Sequence, residues 1–203
     1  MTSDLPFPRR VGSADVSVRR ARPEDAADIA RVQGTTWRTA YRGVLPAAVL
    51  DAWDEEAVEA SWTDAVSAPP SPGHRVLVAV ERETVVGFAA FAAGAGTVEV
   101  ATLLVEPRWG RRGHGSRLLA AVTDLASAGG QRRLEVWLAE SDRVSAGFFE
   151  SAGWEPDGWA RTLDTGEVPL RELRWHTTLA GDDPGPDDVD GNDLAGIEED
   201  RTP

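Results

Sequence analysis

The stretch that most restricts the fold runs from Arg75 to Leu138. Three strand-like segments follow one another, Arg75–Glu81, Thr84–Ala92 and Thr97–Val105, and then the period changes. Only Arg82-Glu83 separates the first two, so they must turn back on each other as an antiparallel hairpin. Gly115–Ser127 next places Leu118, Leu119, Val122 and Leu125 on one face of a helix. Arg133–Leu138 then alternates Leu134, Val136 and Leu138 with Arg133, Glu135 and Trp137, the pattern of a strand. Strand, helix, strand in succession is a crossover, and a crossover pairs its strands in parallel. A meander that ends this way predicts a mixed sheet. Ligand sites in such sheets lie at the carboxyl ends of the strands where the order changes.

The flanking segments extend this pattern. Asp15–Arg19 alternates as a half-buried strand, and Arg22-Pro23-Glu24-Asp25 opens a helix with Pro at its first position and acids in its first turn. Ala26, Ile29 and Ala30 line one face of that helix. Further helical segments are predicted at Ala47–Trp53 and Glu55–Val66, with a loop from Ser67 to Gly73 where three prolines fall. After Leu138, Asp142–Ala152 reads as a helix with Val144, Phe148 and Ala152 at fourfold spacing, followed by strands near Trp154–Arg161 and Leu170–Thr178. The predicted order is β-α-α-β-β-β-α-β-α-β-β within one α/β domain, residues 15–180. Residues 1–14 are expected to be a flexible leader.

Charge and composition remove several function classes. Formal net charge is −13. Residues 181–203 hold nine acids and one base, hence −8, which leaves −5 for the rest. That segment, rich in Gly, Pro and Asp, has too few large apolar residues to offset its ordering entropy and is expected to be an acidic disordered tail. An acidic body with an acidic tail argues against a nucleic-acid partner, because such binding rests on phosphate neutralisation. There is no Cys, which excludes a thiolate nucleophile and Cys-ligated zinc. All 21 basic residues are Arg, which excludes Schiff-base chemistry and a Lys-dependent phosphate loop. His74, His114 and His176 are scattered and predict no metal site. No apolar run reaches the roughly 18 residues of a membrane span, and no secretory signal is read at the start, so a cytoplasmic location without membrane partners is expected.

The chemistry concentrates between Leu103 and Leu119. A strand ends at Pro107; the loop Arg111-Arg112-Gly113-His114-Gly115-Ser116 follows; then a helix starts. Gly113 and Gly115 allow a sharp bend and a close approach by an anion. The first amides of a helix have no internal acceptor, and partial positive charge gathers there. With Arg111, Arg112 and Arg117 nearby, the residues alone indicate a phosphate-bearing ligand. A Walker A loop would need a Lys before Ser116, and a dinucleotide fingerprint would need Gly at Leu118; neither is present.

On these residues the chain resembles the GNAT N-acetyltransferases from residue 15 to about 178. Glu99–Leu119 resembles the family's motif A, with Gly113-x-Gly115 matching its pyrophosphate loop. Asp142–Glu155, with Phe148-Phe149-Glu150-Ser151-Ala152-Gly153-Trp154, resembles motif B. Trp37–Pro46 is similar to a helix-loop region of many bacterial members. The resemblance implies a mixed, mostly antiparallel sheet with a parallel splayed pair flanked by helices. It implies acetyl-CoA as acyl donor and direct transfer to a primary amine of a small molecule or peptide. Arg111, Arg112, Gly113, His114, Gly115 and Ser116 would hold the pyrophosphate. Leu103, Leu104 and Val105 would pair with the pantetheine arm, one amide near Leu104 or Val105 polarising the thioester carbonyl. The Asn that opens motif B is matched by Asp142 or replaced by neighbouring Ser141, and Phe149 takes the place of its Tyr; the resemblance implies that Asp142 and Phe149 contact the cofactor. Members are often dimers, so a homodimer is left open.

Two positions depart from the family. The Arg or Gln three residues before the first Gly is Gly110 here, with Arg111 and Arg112 as compensating charges. The motif B Tyr, often the acid that protonates the departing thiolate, is Phe149, which has no proton to give. The alternatives are water or Tyr41, the chain's one tyrosine; a thiol's reference pKa of about 8.5 makes the thiolate a tolerable leaving group unaided. Glu99, where members often carry a Glu acting through water, is the candidate general base, with Glu140 and Asp142 as runners-up. His114 is expected to face solvent or its neighbours. Most of the eight Trp are expected to pack in or near the core. Trp37 and Tyr41, four apart on one helix face, are the candidates for lining an acceptor pocket.

Overall fold

Each segment predicted as a strand becomes one: β1 (Val16–Arg20), β2 (His74–Glu81), β3 (Thr84–Ala93), β4 (Thr97–Val105), β5 (Arg133–Ala139), β6 (Glu155–Leu163) and β7 (Leu170–Thr178). The helices are α1 (Ala26–Ala40), α2 (Ala47–Asp51), α3 (Glu55–Ser67), α4 (His114–Ala128) and α5 (Arg143–Ser151), with 3-10 turns at Pro23–Asp25 and Pro107–Trp109. This computed structural model describes residues 15–40, 42, 47–165 and 169–179; the expected leader, the expected acidic tail and Tyr41 lie outside the described residues.

The strands form one sheet in the order β1-β2-β3-β4-β5-β7-β6. Only β4 and β5 run parallel, as the α4 crossover between them requires; every other neighbouring pair is antiparallel. The β2–β3 hairpin closes on Arg82 and Glu83, whose φ values of 48° and 73° suit the strand twist although neither residue is Gly. The fold is therefore mixed α/β, a mostly antiparallel seven-stranded sheet with helices on both faces.

Each face has its own apolar layer. On one, Leu118, Leu119, Val122 and Ala126 of α4 pack on Val98, Val100, Leu134, Val136 and Leu138. On the other, Ile29 and Val32 of α1 pack on Val78, Val85, Phe88 and Leu104. The strand β4 contributes to both layers, so the end of β4 is held from both sides.

The entry into α1 is tied down electrostatically. Arg22 is extended before Pro23, and the Asp25 carboxylate accepts from the Arg22 amide at 2.7 Å and from the Arg19 guanidinium at 2.6 and 2.8 Å. The hydrogen bonds from Arg19 hold Asp25 below the usual carboxylate range, against burial, which pushes the other way, and with help from the Arg22 amide. A carboxyl group with a depressed folded-state pKa contributes stability above its unfolded pKa of about 3.9 and loses it as pH falls through the lower folded value. Urea unfolding from pH 6 to pH 2 is therefore expected to show Asp25→Asn less stable than wild type at pH 6. The gap should close below pH ~4.

Candidate active site

The site begins with an interruption in β4. Antiparallel pairing of β3 with β4 shifts register between Ala90 and Phe91, which leaves Ala101 unmatched as a bulge. Parallel pairing of β4 with β5 covers only Thr97–Val100 against Arg133–Val136. Beyond it β4 continues to Val105 and β5 to Ala139 without bonding each other. The two strands diverge there, so backbone groups of Leu103–Val105 on the β5 side face a gap instead of a ladder.

At the head of the gap lies the turn before α4. Gly113 is the residue before the helix and is left-handed, with φ 80° and ψ 9°, a conformation natural to glycine. No side chain caps the helix, and bonding inside it starts only at the Arg117 amide, which donates to the Gly113 carbonyl at 3.0 Å. The amides before Arg117 therefore present donors and the positive end of the helix dipole outward. Gly115 lies close under Phe148: a Cβ there would stand 3.3 Å from the ring, a tight contact that the side chain would have to relieve by a few tenths of an ångström.

Gap and turn together border a cleft of about 520 Å³. Leu103, Leu104, Val105, Arg111, Gly113, His114, Gly115, Ser116, Asp142 and Phe149 all line it. The structure thus brings together nearly every residue read from the sequence as cofactor-binding. Arg112 is the exception; its guanidinium stacks 4.8 Å from the Trp109 ring centroid and lies 3.6 Å from Glu81. Asp142 is engaged as the cap of α5, accepting from the amides of Val144 and Ser145 and from the Ser145 hydroxyl at 2.7 Å. Phe149 is buried edge-on between Phe148 and Trp154, so its ring belongs to the core as much as to the cleft. His114 is turned inward: it is buried, with Nε2 2.9 Å from a Glu81 oxygen and the ring edge-on to Trp109.

The candidate catalytic and acceptor residues sit elsewhere. Glu99 is exposed on β4, has no partner among the described residues, and lies beside Glu135 just before the strands part. It does not line the cleft. Trp37 packs edge-on against Trp53 at 5.1 Å and against the α1-side core, also away from the cleft. Thr36, Trp109 and Phe148 line the cleft without having been singled out from the sequence as ligand-facing. Trp109 and Phe148 stand within the two motif segments, but Thr36 comes from α1, about 70 residues before the loop, and no local spacing announces it. Among the described residues no group of three or more His, Cys, Asp or Glu could hold a metal, and no helix is long and apolar enough to cross a membrane.

Comparison with known proteins decides what this arrangement belongs to. Residues 35–154 match the model of the acetyltransferase (GNAT) family. The chain belongs to that family. This GNAT chain is also 31% identical over 157 residues to the uncharacterized N-acetyltransferase YuaI of Bacillus subtilis strain 168, covering 68% of its own length and 87% of that protein. Its fold is similar to the PaiA N-acetyltransferase of Thermoplasma acidophilum in complex with coenzyme A, with a TM-score of 0.68 and 17% identity over 81% of this chain and 99% of the other. It is likewise similar to YncA of Salmonella typhimurium with its cofactor acetyl-CoA, with a TM-score of 0.61 and 21% identity over 86% and 99%. The GNAT match spans the splayed strand, the glycine turn and α5, the three elements that enclose the cleft.

Proposed function

We propose that this GNAT chain transfers the acetyl group of acetyl-CoA to a primary amine of a small molecule or peptide by direct attack. The observation that carries it is the divergence of β4 and β5 above an uncapped helix start. It supplies strand backbone for an amide-bearing arm and free N–H groups for a diphosphate in one continuous cleft. Amides of the turn from Arg111 to Ser116 take the phosphates, with Arg111 adding charge at the rim. Backbone of Leu103–Val105 orients the arm, and one amide near Leu104 or Val105 stabilises charge on the thioester oxygen. Glu99, acting through water, takes the proton from the incoming ammonium, since only the neutral amine attacks. Tyr41 or water protonates the thiolate. The enzyme works in the cytoplasm.

Calorimetry is expected to show coenzyme A binding, and a free-thiol assay with acetyl-CoA is expected to show turnover across a panel of amines, polyamines, amino acids and peptide N-termini. Absence of binding at millimolar coenzyme A would sink the reading. The buried Phe149 ring, at a position where members often carry a proton donor, favours one alternative, an acyl-CoA-binding module with little catalysis. Under it the wild type binds coenzyme A without turnover, and Phe149→Tyr restores a rate.

A further inference from the structure

Glu81 lies far from the motif segments in sequence, at the end of β2, yet it is the residue that the glycine turn closes onto. One carboxylate oxygen is 2.9 Å from His114 Nε2, and the other is 3.6 Å from the Arg112 guanidinium. A carboxylate can only accept, so His114 carries its proton on Nε2. The His114 side chain is fully buried, whereas Arg112 is half exposed, so the histidine bond dominates this contact. Arg112 stacks on Trp109, and Trp109 meets the His114 ring edge-on, which closes a circuit of four side chains around Gly113. Gly113 has no side chain to hold its own left-handed bend, and α4 has no side-chain cap. From inside, the Arg117 guanidinium donates to the Arg112 carbonyl at 3.0 Å across the bend; from outside, the bend is held by the contact of His114 with Glu81.

We propose that Glu81 is a positioning residue for the phosphate-binding turn: it anchors His114, and through it fixes the first amides of α4 toward the diphosphate before the cofactor arrives. The inference rests on the acetyl-CoA reading given above. Pre-organised donors bind more tightly because less ordering remains to be done on association. Loss of the anchor should weaken contacts to the diphosphate and leave those made by β4 to the pantetheine arm unchanged.

The test compares coenzyme A with pantetheine, which lacks the diphosphate, on the full chain. Calorimetry is expected to show a Kd for coenzyme A about tenfold higher in Glu81→Ala. Glu81→Gln, whose amide oxygen still accepts from His114, should stay within about threefold of wild type. The Kd for pantetheine, followed by ligand-observed NMR, should stay within twofold in both variants. That also reports an intact fold. Should Glu81→Ala not fold, His114→Phe, which fills the same buried volume without the hydrogen bond, is expected to show the same selective loss. Unchanged or tighter coenzyme A binding in the variant would overturn the inference, tighter binding meaning that Glu81 merely competes with phosphate for Arg112. Equal weakening toward pantetheine would overturn it too, since the effect would then be general. If the wild type itself fails to bind coenzyme A, the acetyl-CoA reading falls first and takes the inference with it.

Discussion

Glu99→Gln is expected to lower kcat/KM for amine acetylation about a hundredfold at neutral pH. Glutamine keeps the size and polarity of the side chain but cannot take a proton. Positioned general bases contribute about 10²- to 10⁴-fold. The low end applies here because Glu99 stands four residues before Leu103, which is roughly 13 Å along a strand, so the proton must travel through water. The local setting suits the role. Glu135, its neighbour across the parallel pair, is bonded to Arg133 at 2.6 Å, with Arg174 at 3.5 Å, while Glu99 is unpartnered among the described residues. An alkyl amine with a pKa near 10.4 is almost wholly protonated at neutral pH, so the deficit should shrink as pH rises toward that value and the base becomes dispensable. A pH–rate profile of both proteins checks this. A variant within twofold of wild type at pH 7 would place the base elsewhere. Of the runners-up, Glu140 is paired with Arg171 at 2.6 Å and Asp142 is committed to capping α5.

Glu106→Ala is expected to destabilise the fold by about 3 kcal/mol and to lower Tm by about 6–12 °C. Glu106 follows β4 directly and is 5% exposed. Its carboxylate receives Arg31 of α1 at 2.7 Å and Arg108 at 2.7 Å, and its amide donates to the Val86 carbonyl at 2.9 Å. Removing one partner of a buried ion pair typically costs about 3–5 kcal/mol. The lower figure is taken because Arg31 is about a third exposed and keeps Asp28 and the Val85 carbonyl as acceptors. Arg108 is largely exposed and adds little. Calorimetric unfolding measures the shift, and a Tm within 2 °C of wild type would show that the Arg31 bridge does not hold α1 to the end of β4.

Much of the fold was legible because its signals are local. The alternation in Thr97–Val105 and in Arg133–Leu138, and the apolar stripe of α4, each depend on residues a few positions apart. The sequence-based limits for Thr97–Val105 and Leu170–Thr178 coincide with β4 and β7, the helix read as opening at Pro23 starts with a 3-10 turn and becomes α1 at Ala26, and the limits of the other elements differ by one or two residues, as fraying ends do. Asp142, read as the first residue of a helix, is instead its cap, because its short carboxylate satisfies amides the helix leaves free. His114 shows where local reading stops. Flanked by glycines and arginines, it looks exposed in sequence; it is instead buried, edge-on to Trp109 and bonded to Glu81, 33 residues earlier.

From the sequence alone came the order of elements, the parallel crossover, the glycine turn ahead of α4 and the absence of thiol and lysine chemistry, because each is set by residue type and short-range spacing. The tertiary structure decided where β4 leaves β5, since the bulge at Ala101 and the end of pairing at Val100 are set by how β4 pairs with β3 and β5, strands distant or separated in sequence, and not by local spacing. It also decided that Thr36 reaches the cleft, that Trp37 turns to Trp53 instead, and that Glu81 meets His114 and Glu106 meets Arg31. Those contacts join residues tens of positions apart, and only packing of the layers brings them within bonding distance.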